Sequence, residues 1–169
     1  MSLETTIYGW LMPLSIPSRA LLLLAAAVLI VAFLWPRRAA LAPAVRASWS
    51  LTPGVLNPQV RQSTIGRTIC VAGWTRGIRP PVDYTDRLKL EQMRAYGLSG
   101  AATGYQEDHL VSLELGGDPF DPRNLWPEPR ARAQQVDGIE NDLNRQICNG
   151  DVTLAEAQRR ISQIKHEQG

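Results

Sequence analysis

The chain of 169 residues holds only two histidines, and one of them, His109, directly follows Glu107-Asp108 and precedes an apolar run, a Gly116-Gly117 pair and Asn124. An imidazole near its ordinary pKa can take a proton from water, and a carboxylate beside it can hold a divalent cation. Neighbouring residues on a strand point to opposite faces, so Asp108 and His109 can address different sides of one phosphate. The blander alternative is a histidine capping a strand beside a solvated acidic pair. The sequence offers no phosphate-cradling glycine-rich loop, no Ser-His-Asp order and no CxxC pair for structural zinc.

The elements that must position these residues can be read from periodicity. In HLVSLEL, His109, Val111, Leu113 and Leu115 alternate with Leu110, Ser112 and Glu114, which predicts a strand. Gly116-Gly117-Asp118-Pro119 turns the chain, and Asn124-Leu125-Trp126 supplies a returning strand before Pro127. The expected hairpin thus has His109 at its start and Asn124 at its end. Upstream, Thr68 to Ala72 reads as a short strand, and Thr85 to Tyr96 reads as a helix that stops at Gly97. Downstream, Val136, Ile139, Leu143 and Ile147 recur at helical steps and Asn149-Gly150 ends that helix. Thr153 and Glu156 form a capping box for a last helix with Leu154, Ala157, Ile161 and Ile164 inward and His166 facing solvent. Trp74 and Trp126 lie in apolar stretches and read as core, and Arg79-Pro80-Pro81 reads as a rigid turn.

Glu107-Asp108-His109-Leu-Val-Ser-Leu-Glu-Leu-Gly-Gly followed by Asp121-Pro-Arg-Asn124-Leu-Trp-Pro-Glu128 resembles the ββα-metal finger of HNH endonucleases, with Asp-His, Gly-Gly and Asn-Leu in order. The stretches 68–89 and 147–161 resemble the flanks of a bacterial HNH-like group that carries leaders or membrane anchors. The resemblance covers residues 52–165. It implies an α+β fold, a small finger with flanking helices behind a single N-terminal transmembrane or signal helix. It makes His109 the general base, Asp108 a metal ligand, and Asn124 the residue that braces the finger loop and orients the imidazole. The cofactor implied is a divalent metal cation, Mg²⁺ first, with Mn²⁺ or Zn²⁺ as alternates. Such fingers place a second ligand, His or Asn, on the following helix; the matching position here is Ala133, so Asp137 is the candidate, with Glu140 and Asn141 beyond it. The related group has a lysine just before this aspartate, where this chain has Val136. Arg123, Arg130 and Arg132 beside the finger are candidate phosphate contacts, and the partner expected is nucleic acid, DNA in the first instance.

Charge is unevenly placed. The formal charge is +2, but the first 46 residues carry +3 and the rest −1, so the basicity belongs to the N-terminal segment and not to the finger domain. A composition 44% hydrophobic and 20% charged excludes a wholly disordered chain. From Ala20 to Trp35 every residue is apolar, a run of 16 closed by Pro36-Arg37-Arg38. As a helix it would span roughly 24 Å, short of a hydrocarbon core of about 30 Å, a gap that snorkelling arginines can close. A bacterial single-pass inner-membrane anchor is the first reading. An exported protein with a cleaved leader is the second, with Ala39 to Ala42 as a small-residue region. The expected organisation is a tail over 1–19, the transmembrane or signal segment over 20–36, a linker over 37–51 and the nuclease domain over 52–169. Arg37, Arg38 and Arg46 favour a cytoplasmic domain by the positive-inside rule. Cys70 and Cys148 pull the other way if they are bridged; two separate thiols are the alternative. Two functions compete: a metal-dependent HNH-type endonuclease, and a non-catalytic membrane-anchored envelope domain that keeps the finger as a binding scaffold.

Overall fold

A computed structural model describes residues 45–168, which belong to the unit Pro43–Gly169. The tail expected over 1–19 and the apolar segment expected over 20–36 lie outside the described residues. The domain is a small α+β fold in which a β-hairpin is followed by two helices, a ββα-like order. Strand β1 (Tyr105–His109) pairs antiparallel with β2 (Leu125–Pro129), with Asp108 opposite Trp126 and His109 opposite Leu125. Before the hairpin come a 3-10 segment (Gln62–Arg67), a short helix α1 (Trp74–Ile78) and helix α2 (Val82–Ala95); after it come α3 (Arg130–Asn149) and α4 (Leu154–Glu167).

The local chemistry explains most of these boundaries. Helix α2 starts directly after Pro80-Pro81, a turn earlier than the Thr85 start expected, because proline fixes a φ that suits a helix entrance. Helix α3 ends where Gly150 takes the left-handed conformation at φ +85°, and the Thr153 side chain caps α4 by accepting from the Glu156 amide at 3.2 Å. Val136, Leu143 and Ile147 of α3 meet Leu154, Ala157 and Ile161 of α4 over Val111 and Leu115, forming the main core. A second cluster joins Leu110, Trp126 and Ala47, and Trp74 packs at the edge of the first.

Four expectations change. The strand of the hairpin precedes His109 instead of following it: residues 110–113 and Leu115 are all buried, so alternation had no solvent face to report, and Leu113–Leu115 forms a 3-10 turn. Thr68 to Ala72 is a series of turns, because no neighbouring strand pairs with it and its amides bond locally, Cys70 to Ile65 and Val71 to Thr68. Helix α4 turns Lys165 and His166 inward, with Ile164 only half-buried. His166 is clasped by Trp49 of the expected linker and by Thr52 at the expected start of the domain: its ring stacks on Trp49 at 3.5 Å and its Nε2 lies 3.0 Å from the Thr52 carbonyl. Ala47 is buried and its amide donates to the Lys165 carbonyl at 3.1 Å, so residues 45–51 pack as part of the domain.

Candidate active site

The pivot is the loop between β1 and β2. Gly116 turns it at φ +81°, and a Cβ on Gly117 would lie 1.8 Å from the Val111 carbonyl oxygen, so only glycine lets the loop fold back this closely. Asn124 is fully buried beneath it. Its Oδ1 accepts from the Val111 amide at 3.0 Å, and its Nδ2 donates to the Val111 and Asp118 carbonyls at 3.1 and 2.9 Å. From α2, Tyr84 donates to the Phe120 carbonyl at 2.5 Å and Gln92 to the Pro122 carbonyl at 2.8 Å. The Pro119 carbonyl, held between these ties, lies 3.1 Å from His109 Nε2. Asn124 therefore braces the loop as expected, while the imidazole is oriented by Pro119 through that loop, not by Asn124 itself.

Because a carbonyl only accepts, this contact assigns the proton to Nε2 and the lone pair to Nδ1. His109 is buried, and desolvation lowers its pKa against the opposing pull of the Pro119 carbonyl and Asp108, so the neutral base is favoured. It lines a cavity of about 360 Å³ together with Asp108, Ser112, Glu114, Asp137, Glu140, Asn141 and Arg79. Asp108, His109 and Asp137, expected together from sequence, thus face one space.

Asp108 already has a cationic partner. Lys165 is fully buried, and its Nζ donates to Asp108 Oδ2 and to the His109 carbonyl, each at 2.6 Å; it also lies 2.8 Å from Glu140 Oε1 and 3.5 Å from Glu128 Oε2. Burial would raise the Asp108 pKa, but the Lys165 charge and its hydrogen bond outweigh it and hold the carboxylate ionised. Desolvation, with Asp108 beside it, pushes Glu128 up to about 9. Both Glu128 carboxyl oxygens are buried without a hydrogen-bond partner, the setting in which a carboxyl group keeps its proton. Glu140 is raised to about 7, chiefly by burial. Glu114 is also raised, by burial and then by Asp137.

The expected phosphate contacts sit elsewhere. Arg123 pairs with Asp121 at 2.6 Å, Arg130 Nε donates to the Thr103 carbonyl at 2.9 Å, and Arg132 donates to Gln135; none of the three lines the cavity. The arginine that does is Arg79, read from sequence only as part of a turn. Lys165 was missed as well. Its signal was available, since it stands four residues after Ile161 on the inward stripe of α4, where a charge is buried only with partners.

Among the described residues no three His, Cys, Asp or Glu side chains stand together as a ready metal cluster. The donor types fit a hard divalent cation all the same: Asp108, Glu114, Asp137, Glu140 and Asn141 offer oxygens to one cavity, and burial followed by acidic neighbours raises the pKa of Glu114 and Glu140 there. Comparison with family models, with curated proteins and with solved structures gives no match to this chain.

Proposed function

We propose that this domain is a metal-dependent, HNH-type endonuclease that hydrolyses phosphodiester bonds. The observation that carries the reading is the state of His109: a buried, neutral imidazole whose Nε2 is committed to the Pro119 carbonyl, beside Asp108, on an acidic cavity. Its Nδ1 lone pair takes the proton from a water that attacks phosphorus, and the imidazolium formed is stabilised by the Pro119 carbonyl and the neighbouring Asp108 charge. Asp108 and Asp137, with Glu140 and Asn141 beside them, would hold the divalent cation, which when bound neutralises charge on the phosphate and its leaving oxygen. Arg79, on the same cavity, contacts a phosphate oxygen. The arginines at 123, 130 and 132 flank the hairpin as outlying contacts for a DNA backbone. With the domain near −1 overall, engagement of nucleic acid is weak, metal-dependent and salt-sensitive.

The bridge between Cys70 and Cys148 supports an oxidising, extracytoplasmic compartment, with the apolar segment 20–36 as anchor or export signal. The second reading, a non-catalytic envelope scaffold, is favoured by one observation: Asp108 is neutralised by Lys165 within the protein. Incubation of the full chain in detergent with plasmid DNA and Mg²⁺, Mn²⁺ or Zn²⁺ separates the two. Nuclease function requires metal-dependent cleavage that falls about 10²-fold or more in His109→Ala. Equal behaviour of wild type and variant with every metal leaves the scaffold.

A further inference from the structure

We propose that Phe120 is a stacking platform for a nucleobase beside the scissile phosphate, so that the site takes a single DNA strand in preference to an intact duplex. The inference rests on the nuclease reading and deepens it by naming the form of the substrate. Phe120 is 48% exposed, yet it lies in the loop that holds the imidazole: the carbonyl of Pro119, the residue before it, stands 3.1 Å from His109 Nε2. Consecutive Cα atoms lie about 3.8 Å apart, so the ring is carried within reach of a base that neighbours a phosphate held at His109.

The ring is fixed before any strand arrives. The Phe120 amide donates to Asp118 Oδ1 at 2.9 Å, and its carbonyl accepts from the Tyr84 hydroxyl at 2.5 Å. The two rings meet at 5.7 Å between centroids with 63° between their planes, an edge contact that covers at most one face of Phe120. Tyr84 also joins the platform to the cavity, since it stands in the first turn of α2, just after Arg79-Pro80-Pro81, and Arg79 lines that cavity. The acidic groups of the loop are engaged within it: Asp118 Oδ1 accepts from the Asp121 amide as well, at 2.9 Å, and Asp121 pairs with Arg123. Charge therefore adds little grip here, and the domain as a whole is near −1. Stacking on an aromatic ring needs no net charge, and every base offers a π-face to it. In an intact duplex those faces are covered by neighbouring bases, so a fixed ring reaches one only where the base leaves the stack.

The full chain carrying His109→Ala, which leaves a strand whole, tests this in detergent with Mg²⁺ and a short fluorescent DNA strand, with anisotropy reading affinity. Adding Phe120→Ala is expected to weaken single-strand binding about tenfold or more, Phe120→Trp to restore it and Phe120→Leu not to, while the weaker binding of the matched duplex stays unmoved. Unchanged single-strand affinity in Phe120→Ala overturns the proposal, and so does equal rescue by leucine and tryptophan, or tighter binding of the duplex. Photo-cross-linking from iodouracil in the same strand supplies a readout that a ring serving only to brace the loop would not move. Attachment at Phe120 supports the platform, and attachment only at other residues overturns it. Cleavage by wild type with a single-strand KM unchanged in Phe120→Ala defeats the platform and leaves the nuclease reading standing. Phe120-dependent binding without cleavage by wild type in Mg²⁺, Mn²⁺ or Zn²⁺ defeats the nuclease reading and leaves the platform. Binding of neither form of DNA defeats both.

Discussion

Asn124 treats Val111 as a paired strand would, accepting from its amide at 3.0 Å and donating to its carbonyl at 3.1 Å. A side-chain carboxamide presents an N–H donor and a carbonyl acceptor at the spacing of a peptide group, so it replaces the ladder that the chain lacks once β1 has ended at His109. Among the described residues no other group bonds the Val111 amide or carbonyl, and the Asp118 carbonyl accepts from the same Asn124 amide.

Replacing Asn124 by alanine strands these buried backbone groups, at about 1–3 kcal/mol each. The expected loss is about 3 kcal/mol or more in urea unfolding, together with loss of cleavage, because the displaced loop also carries Pro119. Asn124→Asp should do no better, since it sets a carboxylate against two carbonyls. A loss below about 1 kcal/mol for Asn124→Ala would remove Asn124 from this role.

Gly117 and Gly138 should respond to alanine in opposite senses. At Gly117 the new Cβ would meet the Val111 carbonyl oxygen at 1.8 Å and Asn124 Nδ2 at 2.6 Å, both of them fixed, so a loss of about 3 kcal/mol is expected. Gly138, within α3, has open space around it, and alanine there should raise stability by about 0.5–1 kcal/mol. Thermal melts of the two variants under one condition check the pair. Equal shifts would mean that the loop opens more easily than its contacts indicate.

The bridge from Cys70 to Cys148 spans 78 residues and ties the turns after the first 3-10 segment to the last turn of α3. Asn144, one turn earlier, donates to the Ile69 and Glu114 carbonyls, so the same junction supports one wall of the cavity. Opening a loop of this length releases about 4 kcal/mol of chain entropy, which should lower Tm by more than about 10 °C when reductant is added. The double variant Cys70→Ser/Cys148→Ser should melt at the reduced wild-type temperature and ignore reductant. A wild type unmoved by reductant, with both thiols shown free by labelling, would argue against a stabilising bridge.

Features set by local chemistry were readable in sequence. Thr153 caps, Gly150 stops α3, and Val136, Leu143 and Ile147 face inward because each depends on a few neighbouring residues. The order of Asp108, His109 and Asn124 was equally readable: His109 and Asn124 are tied to one loop, and Asp108 lines the cavity beside His109. What escaped depends on distant parts of the chain. Residues 110–115 alternate as a strand would, but burial on every side makes that alternation uninformative. Lys165 interrupts an apolar stripe for the sake of partners 25 to 57 residues away. Arg79 reaches the cavity by tertiary placement alone, and the pairing of two cysteines is silent in a count of two.

Glu107, on the face of β1 opposite to Asp108, gives the domain a pH dependence that can be isolated. Burial, which leaves both its carboxyl oxygens without a partner, and the Asp108 charge outweigh the attraction of Lys89, and together they raise its pKa from 4.5 to about 8. The native state therefore keeps this proton over a range in which the unfolded chain releases it. The contribution to stability is complete below pH 4.5 and declines as pH rises to about 8. Glu128 and Glu140 are raised too and slope the same way, so Glu107→Gln should flatten the decline without abolishing it. Urea unfolding between pH 5 and 8, in chelator and with the disulfide intact, measures this directly. The variant should gain most over wild type at pH 8, and parallel profiles for the two proteins would place the pH dependence elsewhere.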